Sequence, residues 1–325
     1  MSIVRTVLGD VAPESLGVCY AHEHIIIERG FVTEAFPDFL LDSVDHAVAD
    51  VNDFHAAGGR AMVDSMPAGC GRNVVKLAEV SRRTGVRILC PTGVHLRKYY
   101  PDLHPLLALS EEELAARFVA DIVEGIDAND YEGAEIRRTT HRAGLIKVAG
   151  GLDALDAHER RVFRAAAIAH VATGAPILTH TELGTAALDQ LELLAGAGVS
   201  PEHVVLSHTD RKPDVAYHEE ILRTGAFVEF DSAFRWKPEQ GNPTRDLVVY
   251  LFAAGLGDQI LLGMDAARRG YWRSYGGTPG MAYLLTQFVP QLRDAGLSDS
   301  DVHRIFVSNP ARAYCFRSTS VPMAA

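Results

Sequence analysis

Apolar residues along the chain gather in short, near-continuous runs separated by longer amphipathic stretches. The runs are Gly17–Ala21, Arg60–Asp64, Val86–Cys90, Gly144–Val148, Pro176–Thr179, Val204–Ser207, Ala226–Phe230 and Gln259–Leu262. Such runs suit strands of a parallel sheet that is covered on both faces. The stretches between them carry helix signals. Ser43–Ala57 follows an Asp-Ser start, and Asn73–Thr84 opens on a capping Asn and stops before Gly85. Ser110–Ile126 and Asp156–Thr173 each open with a capping box, Ser110 with Glu113 and Asp156 with Glu159. Thr185–Ala197, Asp214–Thr224, Arg245–Ala254 and Met281–Ala295 complete the set. Eight alternations of strand and helix predict an α/β fold of the (β/α)8 TIM-barrel type. A doubly wound open sheet is the second choice, disfavoured because no Gly-x-Gly-x-x-Gly follows the first strand. The segment "TVLGDVAPES" reads as a short N-terminal hairpin plugging the barrel floor, and the tail after Asp301 as an extra C-terminal helix.

Composition narrows the picture. With 325 residues and 47% hydrophobic content the chain can bury a large core, and residues 1–325 are expected to form a single barrel domain. A formal net charge of -11 argues against a nucleic-acid partner. Cys19, Cys70, Cys90 and Cys315 are widely spaced and form no Cys-x-x-Cys pair. They read as reduced thiols, so a cytoplasmic location is expected. The N-terminal stretch lacks the apolar core of a secretory signal, and no uncharged run reaches the roughly 18 residues of a membrane span. The expected partner is therefore a small-molecule substrate, with no nucleic acid and no membrane. An acidic barrel with an exposed hairpin can also form a homodimer, although no interface is fixed by the sequence.

In a barrel of this kind the chemistry sits at the carboxyl ends of the strands. There the chain places His22 and His24 in "AHEH", Lys147 in "IKV", His180 in "ILTH", His208 in "VLSH" and Asp265 in "GMD". His-x-His on a strand puts both imidazoles on one face. Taken singly, each of these histidines is as well explained by core packing or the surface. Together, four histidines and one aspartate at one rim indicate a metal site, and imidazole with carboxylate suits zinc, manganese, cobalt or iron. Five ligands exceed the three of a mononuclear catalytic zinc and suggest two ions. Lys147 lies in an apolar run, where an ammonium is costly. Beside two cations it would lose its proton and could take up carbon dioxide as a bridging carbamate. On local sequence alone, a salt bridge from Lys147 to a rim acid such as Asp265 is the stronger reading.

The segments "AHEH", "GRNVVKLAEVSRRTGV", "GLIKVA", "ATGAPILTH", "VVLSH", "GMD" and "SNPAR" resemble, in order, those of the phosphotriesterase-like family of the amidohydrolase superfamily. The resemblance runs from roughly Thr6 to Arg312. It implies a binuclear centre in which His22, His24 and Asp265 hold the buried ion, His180 and His208 the exposed one, and carboxylated Lys147 bridges them with a hydroxide. The hydroxide would attack a carbonyl or phosphoryl centre, and Asp265 would shuttle the proton to the leaving group. No Gly-x-Ser-x-Gly points to a serine hydrolase.

Substrate choice rests on the loops. Tyr99 or Tyr100, after the third strand, is a candidate hydrogen-bond donor to a lactone oxygen, and a packing aromatic is the equal alternative. The seventh loop offers Arg235 and Trp236, and the eighth, "MDAARRGYWRSYGGTPG", offers Arg268, Arg269, Tyr271 and Arg273. Arginine forks match phosphate or carboxylate oxygens, though at least one of the eighth-loop arginines Arg268, Arg269 and Arg273 is expected to pair with a structural acid such as Asp231 or Asp64. A basic knot in an acidic chain favours a polar or anionic substrate, among them phosphorylated sugar lactones. The leading expectation is therefore a lactonase. An amidase or esterase on an acidic acyl compound, or a phosphotriesterase with promiscuous lactonase activity, are the alternatives, and a non-catalytic binding barrel has the least support.

Overall fold

The computed structural model describes residues 2–133 and 135–317, apart from the side chain of Pro238. The last residues of the expected C-terminal segment lie outside that range. Eleven strands are present among the described residues. Β1 (Val4–Thr6) and β2 (Gly9–Val11) form an antiparallel hairpin. Β3 (Cys19–Glu23), β4 (Ala61–Asp64) and β5 (Arg87–Leu89) form one parallel sheet; β6 (Pro91–Val94), β7 (Leu145–Gly150), β8 (Ile177–Thr181), β9 (Val204–Ser207), β10 (Phe227–Phe230) and β11 (Ile260–Leu262) form another. The two sheets are halves of one barrel. Β5 and β6 are a single run interrupted at Cys90, where Pro91 brings no N–H to the ladder. At the other seam the N–H groups of Met264 and Asp265 donate to the carbonyl of His22, at 3.2 and 2.9 Å, joining β11 to β3.

The helices cover the outside where the amphipathic stretches predict them. Asn73 accepts the N–H of Lys76 and caps Val74–Thr84, which ends at left-handed Gly85. Both expected capping boxes are formed, Ser110 with Glu113 and Asp156 with Glu159. The last expected helix is interrupted instead: Leu284–Phe288 is a π-turn leading into Val289–Asp294. The third strand continues past Cys90 to Val94, so part of the expected loop is strand. Gly93 permits this. A Cβ there would lie 1.8 Å from the carbonyl oxygen of Lys147, and its φ of +117 suits glycine.

The barrel floor is apolar. Cys19, Ala21, Ala61, Val63, Leu89, Leu145, Leu178, Val205, Phe227 and Leu261 pack there against Val4, Leu16 and Tyr314. The plug therefore draws on both ends of the chain. Val4 comes from the hairpin, while Tyr314 follows the short C-terminal helix Asn309–Ala313 and donates its hydroxyl to Ala21 O at 2.7 Å. No helix among the described residues is long and apolar enough to cross a membrane.

Candidate metal centre

Side chains two residues apart on a strand share a face, so the floor fixes what stands above it. Leu145 is followed by Lys147, Leu178 by His180, Val205 by Ser207, and Phe227 by Glu229 and then Asp231. Three strands carry a local device. Cys19 and Ala21 face the floor, which would turn His22 and His24 away. A register irregularity between Tyr20 and Glu23 resets the alternation and admits both imidazoles to the cavity. His208 and Asp265 are non-glycine residues in the left-handed region, with φ of 65 and 46. Such strain is held where surrounding contacts determine it.

His22, His24, Lys147, His180, His208 and Asp265 line one cavity of about 370 Å³. His22, His24 and Asp265 converge closely enough to share an ion. His24 Nε2 lies 3.1 Å, and His22 Nε2 3.8 Å, from Asp265 Oδ1. The rings of His22 and His180 each stand 4.6 Å, centroid to centroid, from that of His208. Lys147 is 2% exposed and makes no ion pair with a carboxylate among the described residues; its Nζ has only Ser207 Oγ, at 3.5 Å. The salt bridge to Asp265 is thus not formed. A second convergent group, His22, His208, Glu229 and Asp231, adjoins the first. The buried Nδ1 of His24 and both carboxyl oxygens of Glu229 have no hydrogen-bond partner. Orphaned buried donors and acceptors of this kind are costly in a closed core. A set of nitrogen and oxygen groups left incomplete in this way fits a cation.

Electrostatics agree with that fit. Burial, helped by Lys147 and His208, holds His22 well below the ordinary imidazole range. Burial and then Arg211 push His208 down to about 3 against the opposing pull of Asp231. Burial likewise lowers His180. Neutral imidazole is the form that binds metal. Burial lowers Lys147 to about 7, since Glu229, Asp265 and Asp231 offset only part of the desolvation. Its amine is therefore substantially uncharged near neutrality, the state from which a carbamate forms. Burial would raise Asp265, but Arg235, His24, His208 and Arg211 outweigh it and keep the carboxylate ionised.

The substrate candidates separate. Tyr99, Arg235, Arg268 and Tyr271 line the cavity; Tyr100 and Arg269 do not. Tyr100 is buried, donates to Ala68 O at 2.8 Å and accepts the N–H of His95 at 2.9 Å, so its hydroxyl is consumed by loop backbone. Arg269 donates to Leu40 O and lies 3.6 Å from Asp42. Arg235 pairs with Asp231 and with Asp265. Trp236 donates to Thr244, and Arg273 lies 3.9 Å from Asp53. Four polar residues of the site were not singled out from the sequence: His95, Arg211, Glu229 and Asp231 in this role. His95 directly follows β6, and its ring packs on Tyr99 and His180 at 4.3 and 5.1 Å. The signal for Glu229 was available, because it interrupts "AFVEF" as Lys147 interrupts "GLIKVA".

Comparison with known proteins places this geometry. The family model of the phosphotriesterase family matches residues 2–314. A phospho-furanose lactonase of Mycoplasmopsis synoviae is 36% identical over 322 residues, covering 96% of this chain and 91% of that protein. Among solved structures, an amidohydrolase from Mycoplasma synoviae superposes with a TM-score of 0.92 at 34% identity, covering 98% of this chain and 93% of the other. A lactonase from Listeria monocytogenes gives a TM-score of 0.88 at 32% identity, covering 98% and 100%. The match spans floor, barrel and rim alike, and the chain belongs to the phosphotriesterase family.

Proposed function

We propose that the chain is a metal-dependent lactonase acting on a polar, anionic lactone, with a phosphorylated sugar lactone as the leading candidate. The observation that carries the substrate class is Arg268. Its guanidinium lines the cavity, lies 4.7 Å above the ring of Phe39 and has Asp38 at 3.7 Å, yet makes no hydrogen bond among the described residues. Arg235 and Arg269, by contrast, are taken up by protein partners. Arg268 is therefore the arginine whose hydrogen-bond donors remain for a substrate anion, and Tyr271 lines the same cavity. The names of the two lactonase relatives agree with this reading.

The residues that would hold a divalent pair are His22, His24, Lys147 as a carbamate, His180, His208 and Asp265, with zinc the first choice and manganese, cobalt or iron the others. When bound, such a pair supplies a Lewis acid and a water acidified towards neutrality. The chain's own groups do the rest. Asp265 Oδ1 faces His22 and His24, placed to take the proton of the attacking water and return it to the alkoxide that leaves the opened ring. Val32, Phe39, Met66 and Ala267 form an apolar part of the cavity wall. Arg268 orients the anion, and Tyr99 offers a hydroxyl to the lactone oxygens.

The test is Arg268→Met, assayed on a phosphorylated lactone, its neutral counterpart and a set of N-acyl amino acids. A charge-assisted hydrogen bond is worth about 1.5–3 kcal/mol, so kcat/KM should fall about 10–100-fold on the anionic lactone alone. Equal loss on charged and neutral lactones would overturn the anion reading. Turnover of N-acyl amino acids with inert lactones would move the chain to an amidase.

A further inference from the structure

Arg211 and Arg235 stand in the cavity wall beside Asp265, and Arg211 Nη2 also lies 3.0 Å from His208 Nδ1. Arg211 Nη2 donates to Asp265 Oδ2 at 2.7 Å and to Asp231 Oδ1 at 3.1 Å. Arg235 approaches from the seventh loop. Its Nη2 donates to the same Asp265 Oδ2 at 3.1 Å, and its Nη1 to Asp231 Oδ1 at 2.7 Å. Two guanidiniums therefore span the same two carboxylates. Arg235 does more: it also donates to the backbone carbonyls of Met264, at 3.0 Å, and Asp265, at 2.7 Å. Those carbonyls bracket the left-handed turn at Asp265. Asp231, in turn, receives the Nδ1 side of His208.

We infer that Arg211 and Arg235 form a brace that positions Asp265 and His208 together, rather than a clamp for the substrate. With Oδ2 held by two donors, only Oδ1 of Asp265 is presented to His22 and His24. With Asp231 fixed by the same two arginines, its carboxylate holds one ring nitrogen of His208 and leaves the other for the cavity. One pair of side chains thus ties a group on the eighth strand to a group on the sixth, through an acid that follows the seventh. Planar forks suit this task because each can bridge two acceptors in fixed directions, which a lysine ammonium does less well. Partners behind metal-binding groups commonly set their orientation.

The inference rests on reading the cavity as a metal centre, and the experiment separates the two. Arg211→Met and Arg235→Met are prepared with Arg211→Lys and Arg235→Lys, and each is checked for folding by circular dichroism and melting. Zinc retention is measured against a chelator, and kcat and KM on a lactone that the wild type turns over. The brace predicts a 10–100-fold weaker hold on zinc in the methionine variants, with kcat falling and KM nearly unchanged. Arg211→Ala should regain part of its zinc hold and kcat with added guanidinium. If the methionine variants misfold, the lysine variants carry the same test, because they keep the charge and lose the fork. Unchanged zinc retention with a raised KM alone would overturn the brace and make these arginines a substrate clamp. Wild-type protein that holds no zinc would fail the metal reading itself; wild type that holds zinc but opens no lactone would fail only the substrate, and the zinc arm would still decide the brace.

Discussion

The two ends of the barrel use the same strands to opposite purposes. At the floor, Leu145, Leu178, Val205 and Phe227 meet Val4, Leu16 and Tyr314, and the one hydroxyl brought in has its acceptor. One layer higher the same strands bury Lys147, His180, Ser207 and Glu229, and both carboxyl oxygens of Glu229 lack hydrogen-bond partners. Apolar burial gives about 25 cal/mol per Å² and is satisfied by contact alone. Buried polar groups are stabilising only when each is paired. The floor is thus satisfied by its own contacts, while the rim leaves buried polar atoms without a protein partner. Stability and function are thus stacked along the barrel axis, and the division can be tested from either end.

The largest effect is expected at the rim. Wild-type protein grown with zinc or manganese should approach two metal equivalents by elemental analysis. Lys147→Ala should lose metal and drop in activity by more than about 100-fold, beyond the 10–100-fold typical of outer partners. A short carboxylic acid with bicarbonate should restore part of both, because it can occupy the space of the carbamate. Full metal content and rate in Lys147→Ala would remove the lysine from the centre.

The floor should answer in the opposite way. Leu178 is fully buried there, two residues before His180 on the same strand face. Leu178→Ala should cost about 2–5 kcal/mol of stability through lost burial and a residual cavity. Metal content and kcat at low temperature should stay within a few-fold of wild type. A collapse of metal binding in this variant, at a temperature where it is folded, would show that the two layers are not separable.

How much of this was legible follows from the same division. The floor and the helices were read from periodicity and caps, because apolar runs and Asn73, Ser110 or Asp156 act locally. The rim histidines, Lys147 and Asp265 could be placed at strand ends by counting. Three things could not. The irregularity in β3 that turns His22 inward depends on pairing with β4. The extension of the third strand to Val94 depends on the close approach of Gly93 to Lys147. The sorting of the arginines depends on which acceptors stand nearby: Arg235 and Arg269 find hydrogen-bond acceptors, and Arg268 has only Asp38 at 3.7 Å. Local sequence names donors but not their distances, so free and occupied guanidiniums look alike until the chain is folded.

The metal-free rim should also leave a mark on pH dependence. The Lys147 amine titrates near 10.5 when unperturbed and at about 7 in the fold, lowered by burial. Between those values the unfolded chain binds the extra proton. Stability of the metal-free protein should therefore rise with pH from about 7 to about 10.5, and below about 7 the cost of the buried charge is felt in full. Urea unfolding in buffers free of carbon dioxide, with and without Lys147→Met, measures this. The variant should lack that rise; identical slopes in the two proteins would place the titration elsewhere.

The smallest effect is expected at Glu229, and it sharpens the comparison most finely. This residue breaks an apolar run just as Lys147 does, is fully buried, and stands two positions above Phe227 of the floor. Burial, with Asp231 and Asp210 nearby, pushes its carboxyl well above the ordinary range. That direction favours the neutral acid in the metal-free protein. Glutamine has nearly the same shape and is neutral as well, so Glu229→Gln should change stability by less than about 1 kcal/mol, the scale of one exchanged neutral hydrogen bond. An ionised glutamate would behave differently, because removing a buried charge that other groups have been arranged to hold commonly costs about 3–5 kcal/mol. Urea unfolding of chelator-treated wild type and Glu229→Gln at pH 7 distinguishes the two. A difference of several kcal/mol would show that the carboxylate is charged, and that even the metal-free rim is paired more completely than its orphaned oxygens indicate.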